Sequence, residues 1–214
     1  MSTITVKNYS KKIKKAQILN QVNLSLEKGK IYGIIGRNGS GKTMLLRALG
    51  RLIQPTSGTI DFNGVDLSNP DGISLRAGVV IEHAEMYPHL TGYENLEFLA
   101  SIQKIITPQE IRMAMGRIGL DPEDPRTYKK YSLGMKQRLA IAQAIMERPD
   151  YLLFDEPTNA LDGEGLELWR NIIEEEAQKG AIVVICSHDR EEIQSLSHEI
   201  YTMHEGRLEK YVQA

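Results

Sequence analysis

Three short runs in this chain carry residue types that can do chemistry on a phosphorylated ligand. The first is GRNGSGKT at 36–43, which follows the apolar run Lys30–Ile35 and opens a helical pattern over Thr43–Leu52. Glycines there let the backbone N–H groups turn inward around phosphate oxygens, and the helix N-terminus adds partial positive charge. In this setting Lys42 neutralises β- and γ-phosphates and Thr43 offers its hydroxyl to Mg2+, while Gly36, Arg37, Asn38, Gly39, Ser40, Gly41 and Met44 complete the binding stretch. A glycine-rich turn without function is the alternative, and the strand before and helix after argue against it.

The second run is YLLFDEP at 151–157, an apolar strand ending in adjacent carboxylates. Neighbouring side chains of a regular strand point to opposite faces, so Asp155 and Glu156 can serve one site only if the chain bends there; Pro157 supports a break. Asp155 suits a direct or outer-shell Mg2+ role, and Glu156 suits a general base that orients a water molecule. The third run is Ser187-His188, closing another apolar stretch. Open α/β sheets bind ligands beyond the carboxyl ends of their strands, where Gly36, Glu82, Asp155 and His188 would converge. His188 could donate a hydrogen bond to a γ-phosphate there.

The elements that must position these groups follow from the pattern of apolar residues. Lys30–Ile35, Ala77–Ile81, Tyr151–Phe154 and Ala181–Cys186 read as buried strands of a largely parallel sheet. Leu166, Trp169 and Ile173 form a helical stripe that ends at Gly180, and Trp169 on it reads as core. Between Glu82 and Arg148 no strand is evident. Two capping boxes, Thr91 with Glu94 and Thr107 with Glu110, announce helices there, and a further helix begins near Ser132. Thr3–Lys7, Gln21–Leu26 and Gly58–Phe62 alternate as strands of a smaller antiparallel sheet. The expected fold is α/β: a P-loop NTPase (RecA-like) core with a mostly parallel sheet, an antiparallel β subdomain, and an inserted helical subdomain. The expected division is 1–82 with 149–214 for the core, and 83–148 for the helical part.

Composition narrows the function. Lysine plus arginine number 26 against 28 acidic residues, a formal charge of −2, so no overall basic field calls for nucleic acid. Lys11, Lys12, Lys14 and Lys15 form the densest basic patch and read as a solvated loop. Cys186 is the single cysteine, which excludes an internal disulfide and fits a reducing compartment such as the cytoplasm. No stretch reaches the ~18–20 apolar residues of a membrane span, and the start MSTITVKNYS lacks a signal peptide's apolar core. Repeats and low-complexity segments are absent. His83, His89, His198 and His204 show no metal-ligand spacing and read as surface or satisfied residues.

With YSLGMKQR at 131–138 and NALD at 159–162 added to these runs, the chain from Tyr9 to Leu208 resembles the ABC transporter ATP-binding family. The first run looks like that family's signature motif, the second like its D-loop, and His188 matches its switch histidine. The resemblance implies ATP and Mg2+ as ligands, with Thr43, Glu82 and Asp155 at the metal, and Tyr9 where the family stacks an aromatic ring on adenine. It also implies that Ser132 and Gly134, at the start of a helix, face the nucleotide of a second, identical chain with Asp162 near the same interface. An integral membrane permease is the other implied partner, placing the chain on the inner face of the cell membrane; no nucleic acid is expected. Leu133 stands where glycine is common, and Glu82 where glutamine is usual. The stretches around Val80–Glu82 and Tyr87–Leu96 look like bacitracin and lantibiotic exporters. Met86, Tyr87, Leu90 and Tyr93 follow Glu82 in the segment where the family docks its membrane partner, and the alternative for them is ordinary packing. A soluble ABC-type ATPase acting on nucleic acid, ribosomes or cofactor assembly is the competing reading. A nucleotide-gated adaptor that barely hydrolyses is a third, which Glu156 and His188 disfavour.

Overall fold

Strands that are apolar along their whole length must be covered on both faces, and in this protein such strands pair in parallel. A computed structural model describes residues 3–67, 75–82 and 85–211. His83 lies outside them. The elements in chain order are β1 (Thr3–Ile13), β2 (Ala16–Glu27), β3 (Ile31–Ile35), α1 (Lys42–Leu49), β4 (Ser57–Phe62), β5 (Val65–Asp66), β6 (Ala77–Val80), α2 (Gly92–Gln103), α3 (Pro108–Arg117), α4 (Leu133–Ile145), β7 (Tyr151–Asp155), α5 (Gly163–Gln178), β8 (Ile182–Ser187), α6 (Arg190–Leu196), β9 (Glu199–His204) and β10 (Arg207–Lys210).

The larger sheet has the order β10-β9-β3-β8-β7-β6, and only β10 runs antiparallel to its neighbour. Its register does the positioning. Ile35 lies opposite Ser187, Asp155 opposite Cys186, and Val80 opposite Phe154, so four strands end along one edge. The smaller sheet, β2-β1-β4-β5, is antiparallel. One apolar cluster, with Leu45, Leu46 and Leu49 of α1, joins the two sheets; the other lies beneath the helices that follow β6 and includes Trp169, edge-on to Phe154. Cys186 is buried in the sheet, as its apolar setting predicts.

Both capping boxes form. Glu94 N donates to Thr91 Oγ1 at 3.2 Å while Thr91 N donates to Glu94 Oε2 at 2.7 Å, and Thr107 with Glu110 repeats the exchange at 3.3 and 2.8 Å. These caps satisfy backbone amides at the starts of α2 and α3. Ser132 caps α4, accepting from Met135 N at 3.2 Å. The antiparallel strands are longer than the alternation predicts. They run on through bulges where Asn8, at φ 47°, and Gln21, at φ 49°, adopt left-handed backbone angles. No described helix is long and apolar enough to cross a membrane.

Candidate active site

The glycine-rich loop joins β3 to α1. Gly41 precedes the helix at φ 114° and provides no side-chain cap, which leaves the first-turn amides for an anion. Two glycines here are enforced: a Cβ on Gly36 would lie 2.5 Å from the backbone oxygen of Met203, and Gly41 sits at φ 114°, a backbone angle that other residues rarely adopt. Lys42 is buried and its Nζ donates to Gly36 O at 2.7 Å, so its charge sits inside the loop. Ser40 Oγ is buried in the same loop with no hydrogen-bond partner, a polar atom suited to a polar ligand.

The carboxylate strand meets this loop directly. Thr43 Oγ1 donates to Asp155 Oδ2 at 2.5 Å. Burial pushes the Asp155 carboxyl above its ordinary range, with the Thr43 bond opposing and the Glu156 charge adding to the rise. Glu156 resolves the problem of two adjacent carboxylates by its own backbone. It leaves the strand in the left-handed region at φ 48°, a conformation that costs roughly 1–3 kcal/mol and here turns its side chain to the site. Its Oε2 lies 2.8 Å from His188 Nδ1, and its buried Oε1 lies 3.7 Å from Lys42 Nζ with no hydrogen-bond partner. An ionised carboxylate only accepts, so this contact puts the proton on His188 Nδ1. For Nε2 to donate to a phosphate as well, the ring must be protonated or released from Glu156.

Two expectations for this site need correcting or refining. Tyr9 is not available to an adenine ring. It is 1% exposed, lies in the core between the sheets, and its hydroxyl donates to Ile53 O at 3.2 Å. The bulge between Val6 and Tyr9 breaks the strand's alternation and turns Tyr9 inward, where an unbroken strand would have turned it outward. Glu82, at the end of β6 with φ 58°, is near enough for its charge to act on Asp155, but its Oε1 is held by Arg47 Nη2 at 2.9 Å. The carboxylate is thus shared with a cation on α1 that the sequence did not single out.

A second hollow is lined by Ser132, Gly134, Arg138, Ala160 and Asp162. Asp162 caps α5, accepting from Gly165 N at 2.8 Å, and accepts from Arg138 Nη2 at 2.6 Å. These two donors hold the Asp162 carboxyl below its usual range, the cap first. Arg138 Nη1 also donates to Ile118 O at 3.2 Å and Gly119 O at 3.4 Å. Next to it, Gln137 Nε2 donates to Pro157 O at 2.9 Å, so α4 is hydrogen-bonded to the chain just past Glu156. The Arg138–Asp162 bond ties the signature-like run to the NALD run, the Gln137–Pro157 bond ties it to the carboxylate strand, and the bonds to Ile118 and Gly119 tie it to the end of α3.

A model of the ABC transporter family matches residues 19–159. The chain belongs to this family. Over 206 residues it is 45% identical to an uncharacterized ABC transporter ATP-binding protein of Bacillus subtilis, covering 96% of this chain and 94% of that protein. It is 38% identical to the bacitracin transport ATP-binding protein BcrA of Enterococcus faecalis, covering 96% and 67% of the two chains. The lantibiotic transport ATP-binding protein SrtF of Streptococcus pyogenes is 36% identical, with 96% and 88% covered. Among solved structures, a dimeric bacterial ABC transporter cassette superposes with a TM-score of 0.86 at 26% identity, covering 99% of this chain and 100% of that one. The protein is therefore an ATP-binding, ATP-hydrolysing subunit of an ABC transporter, and the reading as a soluble ATPase of nucleic acid or ribosomes loses to it.

In this ABC ATPase several side chains at the site were not picked out individually from the sequence, although Gln137 and Arg138 lie within the signature-like run at 131–138. Arg47, Gln137 and Arg138 are polar or cationic residues on helical segments, where such residues are usually solvated. Arg138 alone gave a hint: it is a cation flanked by the apolar run from Leu139 to Ile145, and it is buried. The Tyr87–Leu90 segment is fixed by Asn95, whose Oδ1 accepts from Tyr87 N at 2.8 Å and whose Nδ2 donates to Tyr87 O at 3.1 Å. Tyr87 itself is 54% exposed and edge-on to Phe98, which is 46% exposed.

Proposed function

We propose that this ABC ATPase drives an exporter of antimicrobial peptides or similar compounds, working on a separate membrane subunit. The observation that carries the motor reading is the meeting of Lys42, the Thr43–Asp155 pair and the Glu156–His188 pair along one sheet edge. The names of the bacitracin and lantibiotic relatives support the cargo class. In this reading Gly36 to Met44 bind the phosphates, Glu156 orients the attacking water and takes its proton, and His188 holds that carboxylate in place. Among the described residues no group of three or more His, Cys, Asp or Glu could hold a metal ion alone, which fits Mg2+, since that ion commonly combines one or two carboxylates with phosphates and waters. Thr43 and Asp155 would hold it, with Glu82 close by, and bound Mg2+ neutralises the charge between the β- and γ-phosphates.

Glu82 and Arg47 give a prediction of their own. A carboxylate repels metal-free ATP, and Arg47 partly cancels that charge. Removing the carboxylate in Glu82→Gln should tighten metal-free ATP binding, and removing its partner in Arg47→Ala should weaken it, each by about threefold for so exposed a pair. Titrations without and with Mg2+ check this; identical curves for all three proteins would make Glu82 a spacer at the strand end.

The membrane subunit is assigned to the exposed segment after Glu82. Tyr87, Phe98 and Leu133 are exposed apolar side chains around it. Expressed with its membrane protein the chain should sediment with membranes, and alone it should not. Tyr87→Glu with Leu90→Glu should release it while ATP binding remains; continued sedimentation of that variant would move the docking surface elsewhere.

A further inference from the structure

Helix α6 opens as α2 and α3 do, with a glutamate three places after its cap. In α2 and α3 that glutamate turns back and closes a capping box. In α6 the local partner is already taken: Asp189 caps the helix, accepting from Glu192 N at 3.1 Å, while the Asp189 amide donates to Ser187 Oγ at 3.0 Å. The Glu192 carboxylate reaches instead to a distant group. Its Oε2 accepts from Thr158 Oγ1 at 2.9 Å, 34 residues away in the chain. Glu192 is only 6% exposed, and burial pushes its carboxyl above the ordinary range, with the Thr158 bond opposing the rise. Burying a carboxyl is costly, and the helix, which Asp189 caps, does not require it.

Thr158 stands two residues after Glu156, on the stretch that leaves β7. We propose that Glu192 is a positioning residue for hydrolysis: through Thr158 it holds the turn at Glu156, so that this carboxylate and His188 keep one arrangement. The proposal rests on the role given to Glu156 above. Glu156 sits at φ 48°, and a strained backbone persists only where its surroundings over-determine it. Here they do so from three sides. Ser187 Oγ at 3.3 Å and His188 N at 3.4 Å donate to Glu156 Oε2, Gln137 Nε2 donates to Pro157 O, and Glu192 accepts from Thr158. The segment from Ser187 to Glu192 thus grips the turn twice, once at the Glu156 carboxylate and once just beyond it. The second grip is separate from the phosphate loop, where Lys42 bonds Gly36 and Thr43 bonds Asp155. Its loss should therefore misplace the Glu156 carboxylate and leave nucleotide binding in place.

Single-turnover ATP hydrolysis by the full chain, with ATP affinity measured in parallel, tests this. Thr158→Val keeps the shape and removes the hydroxyl; it should slow hydrolysis about 10- to 100-fold while the Kd for ATP stays within about twofold, since a misplaced reacting group costs rate more than binding. Thr158→Ser and Glu192→Gln keep a donor and an acceptor, and should hydrolyse within about threefold of the parent. The deciding measurement is made in the Glu156→Gln chain. There the carboxylate is already lost, so adding Thr158→Val should lower the residual rate by less than about twofold, whereas a residue acting independently of Glu156 would cost the same factor in both backgrounds. Parental hydrolysis in Thr158→Val would overturn the proposal and leave Glu156 in its role. Equal losses in the two backgrounds would overturn it as well, and so would a fall in ATP affinity as large as the fall in rate. Parental turnover in Glu156→Gln itself would overturn both the proposal and the reading on which it rests.

Discussion

Lys42→Ala and Glu156→Gln are each expected to lower ATP turnover by about 10²–10⁴-fold, the range observed for positioned charges and general bases. The two losses should differ in kind. Lys42 is buried and bonded to Gly36 O, so its removal takes a charge from the phosphate loop and should weaken nucleotide binding together with hydrolysis. Glu156 lies beyond the loop, bonded to His188 Nδ1 and 3.7 Å from Lys42 Nζ. Its amide replacement keeps the shape and removes a negative charge beside the phosphates, so binding should hold or improve while turnover collapses. Single-turnover hydrolysis with parallel ATP-binding measurements separates the two. Turnover in Glu156→Gln within about twofold of the parent would remove this residue from the catalytic role.

That Asp155 and Glu156 could share one site was legible only as a condition: the chain had to bend. The sequence pointed to Pro157 for the bend, and the turn falls on Glu156 itself, at φ 48°. Non-glycine residues in the left-handed region leave little trace in composition, so Gln21 passed as an ordinary strand residue and nothing marked Asn8 or Glu82 as left-handed. The cost was largest at Tyr9, whose expected role came from the resemblance: β1 runs on past Lys7 through a bulge, and one extra residue reverses which side chains face the core, a change that no local pattern registers. By contrast the phosphate loop, the two capping boxes and the cap at Ser132 were readable because each is a local pattern closed within a few residues.

The C-terminal hairpin was missed for a different reason. Strand β9 is only partly buried and mixes polar with apolar residues, so neither alternation nor a continuous apolar run marks it. Yet it matters to the site. Gly206 N donates to Ser40 O at 2.8 Å, and Met203 backs both Gly36 and Gly41. The phosphate loop is thus braced by a segment some 160 residues later in the chain, a long-range relation that no local pattern reveals. Helix α6 is short but did carry a signal, since Asp189 Oδ1 accepts from Glu192 N at 3.1 Å in an ordinary cap.

ATP, and not ADP, is expected to join two copies of this chain, most clearly in the Glu156→Gln protein, whose nucleotide persists. The motive is the hollow at Ser132, Gly134 and Asp162, which lies on the signature-like run and is separate from the hollow of the phosphate loop. Ser132 begins α4, whose N-terminus at this hollow favours an anion, while the N-terminus of α5 beside it is capped by the Asp162 carboxylate. Arg138 decides whether that surface keeps its shape, because it bonds Asp162 on one side and the carbonyls of Ile118 and Gly119 on the other. Arg138→Ala strands the buried carbonyl of Ile118, which costs about 1–3 kcal/mol of stability, and frees Asp162 from its cation. Light scattering should therefore find the Glu156→Gln chain dimeric with ATP and monomeric with ADP. The Arg138→Ala, Glu156→Gln double variant should stay folded, bind ATP as a monomer, and need at least about tenfold more protein to dimerise. If the Glu156→Gln chain is monomeric with ATP even beside its membrane subunit, the second hollow has no part in holding nucleotide, and Ser132 is only a helix cap.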